Sequence, residues 1–194
     1  MKNIILLGAG EHSRVLLDII NQLNLPIVGV CDPSLERNKK RSWKNIEVFP
    51  EESIEGIFRP EEVSVINGIG IGNKEREDIF NKMKGLGYSF QSLVHPNAWI
   101  SDSVVLGEGV QVMAGVSIQV DCKIGANTIV NTGANIDHDC YLGKHVNICP
   151  GAVLCGRVKV GDLSFVGAGS TLLPGIKVET GKFVKAGSLV KKNL

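Results

Sequence analysis

The chain has 194 residues, 43% of them hydrophobic and 21% charged, with a formal net charge of +1. This length holds one domain or two small ones with a buried core. The balanced charge carries no electrostatic footprint for nucleic acid, and no apolar run approaches the roughly 20 residues of a membrane span. The opening apolar segment, residues 4–7, is too short for a signal peptide. The five cysteines lack metal-site spacing and read as thiols, so the expected location is cytoplasmic.

In chain order, residues 3–7 read as a buried strand ended by Gly8-Ala9-Gly10. Val15, Leu16, Ile19, Ile20 and Leu23 then recur at helical spacing, and Pro26 closes the turn before a second strand, residues 27–31. Asp32-Pro33 ends that strand, and the polar stretch 34–45 reads as a mobile loop. Residues 62–68 form a third strand that runs into Gly70-Ile71-Gly72-Asn73, followed by a helix over 74–86 capped by Gly87. Residues 1–90 are therefore a small parallel β-α-β sheet of open α/β type.

From Val94 to Val190 every sixth residue is a branched aliphatic, seventeen positions without an exception. A period of six is neither helical nor that of an ordinary strand, and it marks residues 91–194 as a parallel β-helix of hexapeptide repeats. With the aliphatic as i, position i+4 is mostly small or β-branched (Val116, Cys122, Thr128, Ala134, Cys140) and points inward with it. Position i+1 holds Gly107, Gly125, Asn131, Gly143, Gly161 and Gly167, and is read as the sharp bend. Three six-residue sides make an 18-residue coil, so about five coils stack to a height on the order of 25 Å. Cys122 and Cys140, one coil apart, stack inward; period alone leaves handedness and oligomeric state open.

Among residues able to do chemistry, His138 stands out within Asp137-His138-Asp139-Cys140. It holds position i+2, facing outward, between two carboxylates. One carboxylate can fix the tautomer and stabilise the imidazolium, which makes His138 a general-base candidate; the other reading is a solvated surface turn. His145 is either a wall of that site or an exposed histidine. A zinc pair with His138 would need a third converging ligand, and the only other histidine of the array is His95, more than two coils away, so no metal is expected. Gly8, Gly10, Glu11 and His12 lie at a strand-to-helix turn, either a phosphate-cradling loop or a tight turn. It is not a full dinucleotide fingerprint, because Ser13 stands at the last glycine position. Asp32 and the turn containing Gly70 and Asn73 fall on the same carboxyl edge, where open α/β sheets take ligands.

Together these segments resemble the sugar acyltransferases of the sialic acid O-acetyltransferase type, which include the bacterial nucleotide-4-amino-sugar N-acetyltransferases. The resemblance spans the chain and rests on residues 7–12, Cys31-Asp32, residues 94–98, Asn131-Thr132-Gly133-Ala134 running into Asp137-His138-Asp139-Cys140, and Pro150-Gly151-Ala152. It implies a Rossmann-like β-α-β domain followed by a left-handed β-helix, assembled as a homotrimer, with acetyl-CoA in the groove between neighbouring β-helices. It implies His138 as the base, supported by Asp139, and Gly143, His145, Asn147, Ala152 and Gly167 around the cofactor. Acceptor contacts would come from Gly8, Gly10, Glu11, His12, Asp32, Gly70 and Asn73, with the acceptor's nucleotide reaching an adjacent subunit's N-terminal domain.

Two positions depart from that family. Glu11 replaces a glycine beside His12, and a carboxylate there opposes a diphosphate. Asn147 stands where relatives carry a histidine that touches the thioester; its amide still donates a hydrogen bond. The expected activity is acetyl transfer from acetyl-CoA to an amine or hydroxyl of a sugar, and the resemblance implies a nucleotide-linked amino sugar. The alternatives are O-acetylation of a free sugar, acetylation of another small amine, and a non-catalytic β-helix scaffold.

Overall fold

The computed structural model describes residues 2–194. The chain forms two compact units, one ending at Gln91 and the other spanning Ser92–Leu194. The first unit runs β1 (Asn3–Leu7), α1 (Glu11–Gln22), β2 (Ile27–Cys31), α2 (Pro33–Arg37), β3 (Ser42–Trp43), β4 (Ile46–Glu47), α3 (Ile54–Ile57), β5 (Val63–Asn67), α4 (Asn73–Gly85) and β6 (Ser89–Phe90). Its main sheet has the order β2-β1-β5-β6, with every neighbouring pair parallel. Ile4, Ile5, Leu6 and Leu7 are all buried, as expected of a central parallel strand covered on both faces. The amphipathic α1 buries Leu16, Ile19 and Ile20.

The stretch 34–45 is not a loop. Pro33 opens α2, and Asp32 caps it by accepting from Ser34 N at 2.8 Å and Leu35 N at 3.0 Å. β3 and β4 then pair as an antiparallel hairpin. Its two connecting residues, Lys44 and Asn45, have φ of 50° and 66°, the doubly left-handed turn that matches strand twist. The stretch lacks apolar periodicity because a cap and a turn, rather than a buried face, organise it.

The second unit is a left-handed parallel β-helix of about five coils. Each hexad contributes one two-residue strand that ends on its aliphatic residue, from Leu93–Val94 to Leu189–Val190. The strands stack into three parallel sheets of six, six and five members. The first face includes Gln111–Val112, Ile129–Val130, Asn147–Ile148 and Phe165–Val166; the second includes Ser117–Ile118, Asn135–Ile136 and Val153–Leu154; the third includes Lys123–Ile124, Tyr141–Leu142 and Lys159–Val160. The aliphatics and the i+4 residues form one continuous core.

The bend does not fall at i+1. From Gly109 to Gly187 the residue at i+3 has positive φ in every hexad, including Asp121, Asn127, Asp139, His145, Arg157 and Leu163. The i+1 glycines have another cause: successive coils meet there. A Cβ on Gly143 would lie 2.1 Å from Asp162 Oδ1 and 2.6 Å from Asp162 N, and one on Gly125 would lie 2.4 Å from Gly143 C. Polar i+4 residues also serve the corners. Thr128 Oγ1 donates to Gly143 O at 2.9 Å, Ser164 Oγ to Glu179 O at 2.8 Å and Cys122 Sγ to Asp137 O at 3.0 Å. They satisfy carbonyls that the strand ladders leave over.

Candidate active site

Asp137, His138, Asp139 and Cys140 form the corner between Asn135–Ile136 on the second face and Tyr141–Leu142 on the third. Coil-to-coil bonds hold it: Asp139 N donates to Val120 O at 3.0 Å and Arg157 N to His138 O at 2.9 Å. Asp139 takes the left-handed position, with φ of 59°, and a short polar side chain tolerates it. That backbone turn brings Asp139 Oδ2 to 2.8 Å from His138 Nδ1. Paired in this way, Nδ1 carries the proton and donates, and Nε2 keeps its lone pair. The His138 side chain is 44% exposed. Its pKa lies above the ordinary imidazole value, first because of the Asp139 hydrogen bond; the charges of Asp137 and Asp139 add to it, and desolvation and Arg157 oppose it.

Asp137 approaches the other side of the ring, with Oδ2 4.0 Å from Nε2. Its Oδ1 accepts from His138 N at 2.8 Å. Beside this corner, on the second face, lies a hollow of about 210 Å³ lined by Ser117, Gln119, Asn135, Asp137, Val153 and Cys155 among others. The ring rests over Gly156, where a Cβ would be 2.5 Å from Nε2. Gly156 was not singled out from sequence. Residue 156 is one 18-residue coil beyond His138, which stacks it beside that corner without showing that the ring needs the space.

The remaining candidates of the β-helix do not gather at this corner. Gly143 and His145 lie on the corner between the third and first faces, Asn147 on the first face, and Ala152 and Gly167 on the corners between the first and second. His145 is buried rather than exposed; it occupies a left-handed bend and its Nδ1 lies 2.9 Å from Asn127 Nδ2. Asn147 is buried too. Ala152 points into the core, so only its backbone can line a groove. A Cβ on Gly167 would lie 2.4 Å from Ala186 N, which identifies it as a close-packing position. His95, His138 and His145 stand on three different corners, so a single copy does not bring them to one ion.

In the first unit, the turns after β1, β2 and β5 share the carboxyl edge of the sheet. Gly8 takes φ of 98°, and Gly10 is the N-cap of α1. Asp32 ties two turns together: Oδ2 accepts from Ala9 N at 2.9 Å while Oδ1 caps α2. Its carboxylate is thus committed to backbone N–H groups. Gly70 packs on His12, where a Cβ would lie 2.6 Å from His12 Cβ. Asn73 begins α4, and Glu11 projects outward, 94% exposed and 3.7 Å from Arg14. Ser13, which stands at the last glycine position of the turn, and Arg76, which no sequence motif marks, complete this edge. Ser13, fully buried, donates from Oγ to Gly8 O at 2.8 Å and bridges toward Gly68 O at 3.2 Å. Arg76, fully buried on α4, donates to the carbonyls of Asn67 and Ile69, and desolvation lowers its pKa to about 9.

Residues 3–83 match the PglD N-terminal domain family. Residues 121–156 and 139–174 match the bacterial transferase hexapeptide repeat. The chain is 32% identical to PerB from Caulobacter crescentus, solved in complex with CoA and GDP-perosamine; the match covers 100% of this chain and 91% of that one, with a TM-score of 0.91. The chain belongs to the sugar acyltransferase family of the sialic acid O-acetyltransferase type. As a member of that sugar acyltransferase family, it also matches the acetyltransferase domain of PglB from Neisseria gonorrhoeae FA1090, with 29% identity, a TM-score of 0.92, and coverage of 100% of this chain and 93% of that one. A UDP-N-acetylbacillosamine N-acetyltransferase of Bacillus subtilis (strain 168) is 33% identical over 118 residues, 59% of this chain. That match spans about half, 52%, of the Bacillus protein.

Proposed function

We propose that the protein transfers the acetyl group of acetyl-CoA to the amine of a nucleotide-linked amino sugar. One observation carries this reading: His138 has Nδ1 held by Asp139 at 2.8 Å and Nε2 directed away from that partner on a half-exposed corner. The CoA and GDP-perosamine complexes of the Caulobacter relative support the substrate pair. In the proposed reaction the acceptor nitrogen attacks the thioester carbonyl as His138 Nε2 removes its proton. The C–S bond then breaks, and the imidazolium returns that proton to the departing sulfur. Asp139 stabilises the imidazolium between those events.

The reading includes a homotrimer. His138, the Gly143–His145 pair and Ala152 with Gly167 lie on different corners of one prism, so one copy does not bring them to a single ligand. Neighbouring copies packed corner to corner would. Exposed Val105, Val120 and Tyr141 around the His138 corner support an apolar contact there. Acceptor binding is assigned to the edge bearing Gly8, Gly10, His12, Gly70 and Asn73. Glu11 points to solvent and toward Arg14, so it does not crowd that turn with unbalanced charge. We place the enzyme in the cytoplasm, where its free thiols remain reduced.

His138→Ala tests the assignment. The expected result is a kcat lower by about 10²–10⁴-fold with acetyl-CoA affinity retained; full activity would exclude His138 as the base. A panel of nucleotide sugars and free sugars, read by thiol release from acetyl-CoA, separates the nucleotide-linked acceptor from a free one. A scaffold would release no thiol with any of them.

A further inference from the structure

We propose that Asp137 receives the acceptor's amine and makes this corner select nitrogen over oxygen. The inference rests on the reading of His138 as the base. Asp139 already serves Nδ1, so the second carboxylate of the corner is not needed to set the tautomer. Its geometry suits a different task. At 4.0 Å from Nε2, Oδ2 is too far for a direct hydrogen bond, which wants about 2.7–3.2 Å. The separation instead admits one atom at hydrogen-bonding distance from both Oδ2 and Nε2. Because Oδ1 accepts from His138 N at 2.8 Å, the carboxylate is held in that orientation.

A nitrogen satisfies both partners better than an oxygen does. A sugar-ring amine is less basic than lysine because its neighbouring oxygens withdraw charge, and the fraction that arrives as an ammonium brings three N–H donors. One can point to Oδ2 as a charge-assisted hydrogen bond, and one can be lost to solvent to give the free amine. Another then lies toward Nε2 and passes to His138 as the nitrogen attacks. The C–N bond forms, the C–S bond breaks, and His138 returns its proton to sulfur; the net change converts an ammonium and a thioester to an amide, a thiol and one released proton. A sugar hydroxyl has a single O–H, so it cannot donate to Asp137 and His138 together, and its oxygen lone pairs meet the carboxylate.

The neighbouring hollow fits this role. Specific ligand pockets usually measure about 300–1,000 Å³, so about 210 Å³ takes part of a ligand, such as a single sugar ring. Ser117, Gln119 and Asn135 offer it hydroxyl and amide groups, and Val153 an apolar wall.

Asp137→Asn isolates the charge, because the amide oxygen still accepts from His138 N. The probes are acetyl-CoA with GDP-perosamine, and acetyl-CoA with the same nucleotide sugar carrying a hydroxyl in place of the amine. The expected result is a fall of about 10–100-fold in kcat/KM for the amine, mainly through KM, the range of a lost hydrogen bond to a charged group. KM for acetyl-CoA stays unchanged, and the amine-to-hydroxyl preference shrinks by a similar factor. Asp137→Glu restores part of the preference. An unchanged preference, or equal loss with both acceptors, overturns the assignment by reducing Asp137 to a structural or base-tuning group. If the unsubstituted protein transfers acetyl to no acceptor, the transfer reading itself fails and takes this assignment with it. Transfer lost only in His138→Ala, with Asp137→Asn unaffected, overturns the Asp137 assignment alone.

Discussion

At the scale of single residues, His138 stands out in the sequence, and the bend beside it sets its hydrogen bonding. Asp139 reaches Nδ1 because its own φ is 59°, a conformation that turns adjacent side chains toward each other. The raised pKa of His138 predicts the direction of a pH profile. A base works unprotonated, so kcat should rise with pH and level off only above the ordinary imidazole value of about 6.5. Asp139→Ala removes the largest cause of the shift, the hydrogen bond to Nδ1; its inflection should move to lower pH and its plateau should fall. A profile that does not move would mean that Asp139 has no hold on the base. The acids were legible as flanking residues and the family resemblance points to Asp139 as the support, but the ring nitrogen that each acid meets was not legible. Spacing says nothing about side-chain direction within a corner. Gly156 is the same case: only the contact with the imidazole reveals that a methyl group there would displace the ring.

At the scale of elements, the hexads were legible because each aliphatic fills the same place in every coil. The core they form should respond as a packed interior. Leu142→Ala, at a fully buried position, is expected to destabilise the β-helix by about 2–5 kcal/mol, read as a lower denaturant midpoint. Retention of the midpoint would contradict continuous packing across coils. The bend position was misread for a physical reason: glycine is used both where φ is positive and where backbones touch. At i+1 it is the second use, and at i+3 asparagine, aspartate, histidine, arginine and leucine accept the left-handed angle as well, which hides the pattern from composition. In the first unit, α2 and the hairpin of β3 and β4 leave no periodic mark on the sequence because a cap and a two-residue turn hold them rather than a hydrophobic face. Asp32 was legible as an edge residue, though not as the cap that its two oxygens make it.

At the scale of the whole molecule, the spread of candidate residues over three corners leads to a mixing experiment. His138→Ala and Asn147→Ala alter positions on a corner and a face that one copy keeps apart. If each site draws on two copies, both variants are weak alone, and co-refolded mixtures recover part of the activity, measured as thiol release per chain. No recovery above the average of the two would place the site within one copy. Light scattering should give three times the chain mass; a monomer with full activity would remove the trimer from the reading.

The amino-acid sequence by itself determined the two-part architecture, the inward phase of the β-helix and the outward position of His138. These follow from periodicity, since burial repeats with the chain's own geometry. Only the tertiary structure decided where the bends lie, which ring nitrogen each acid meets, why Gly156 is small and how the candidates divide among three corners and one face. Those facts depend on contacts between residues about one coil apart and on the direction a backbone bend gives to a side chain, and neither leaves a regular mark on the chain.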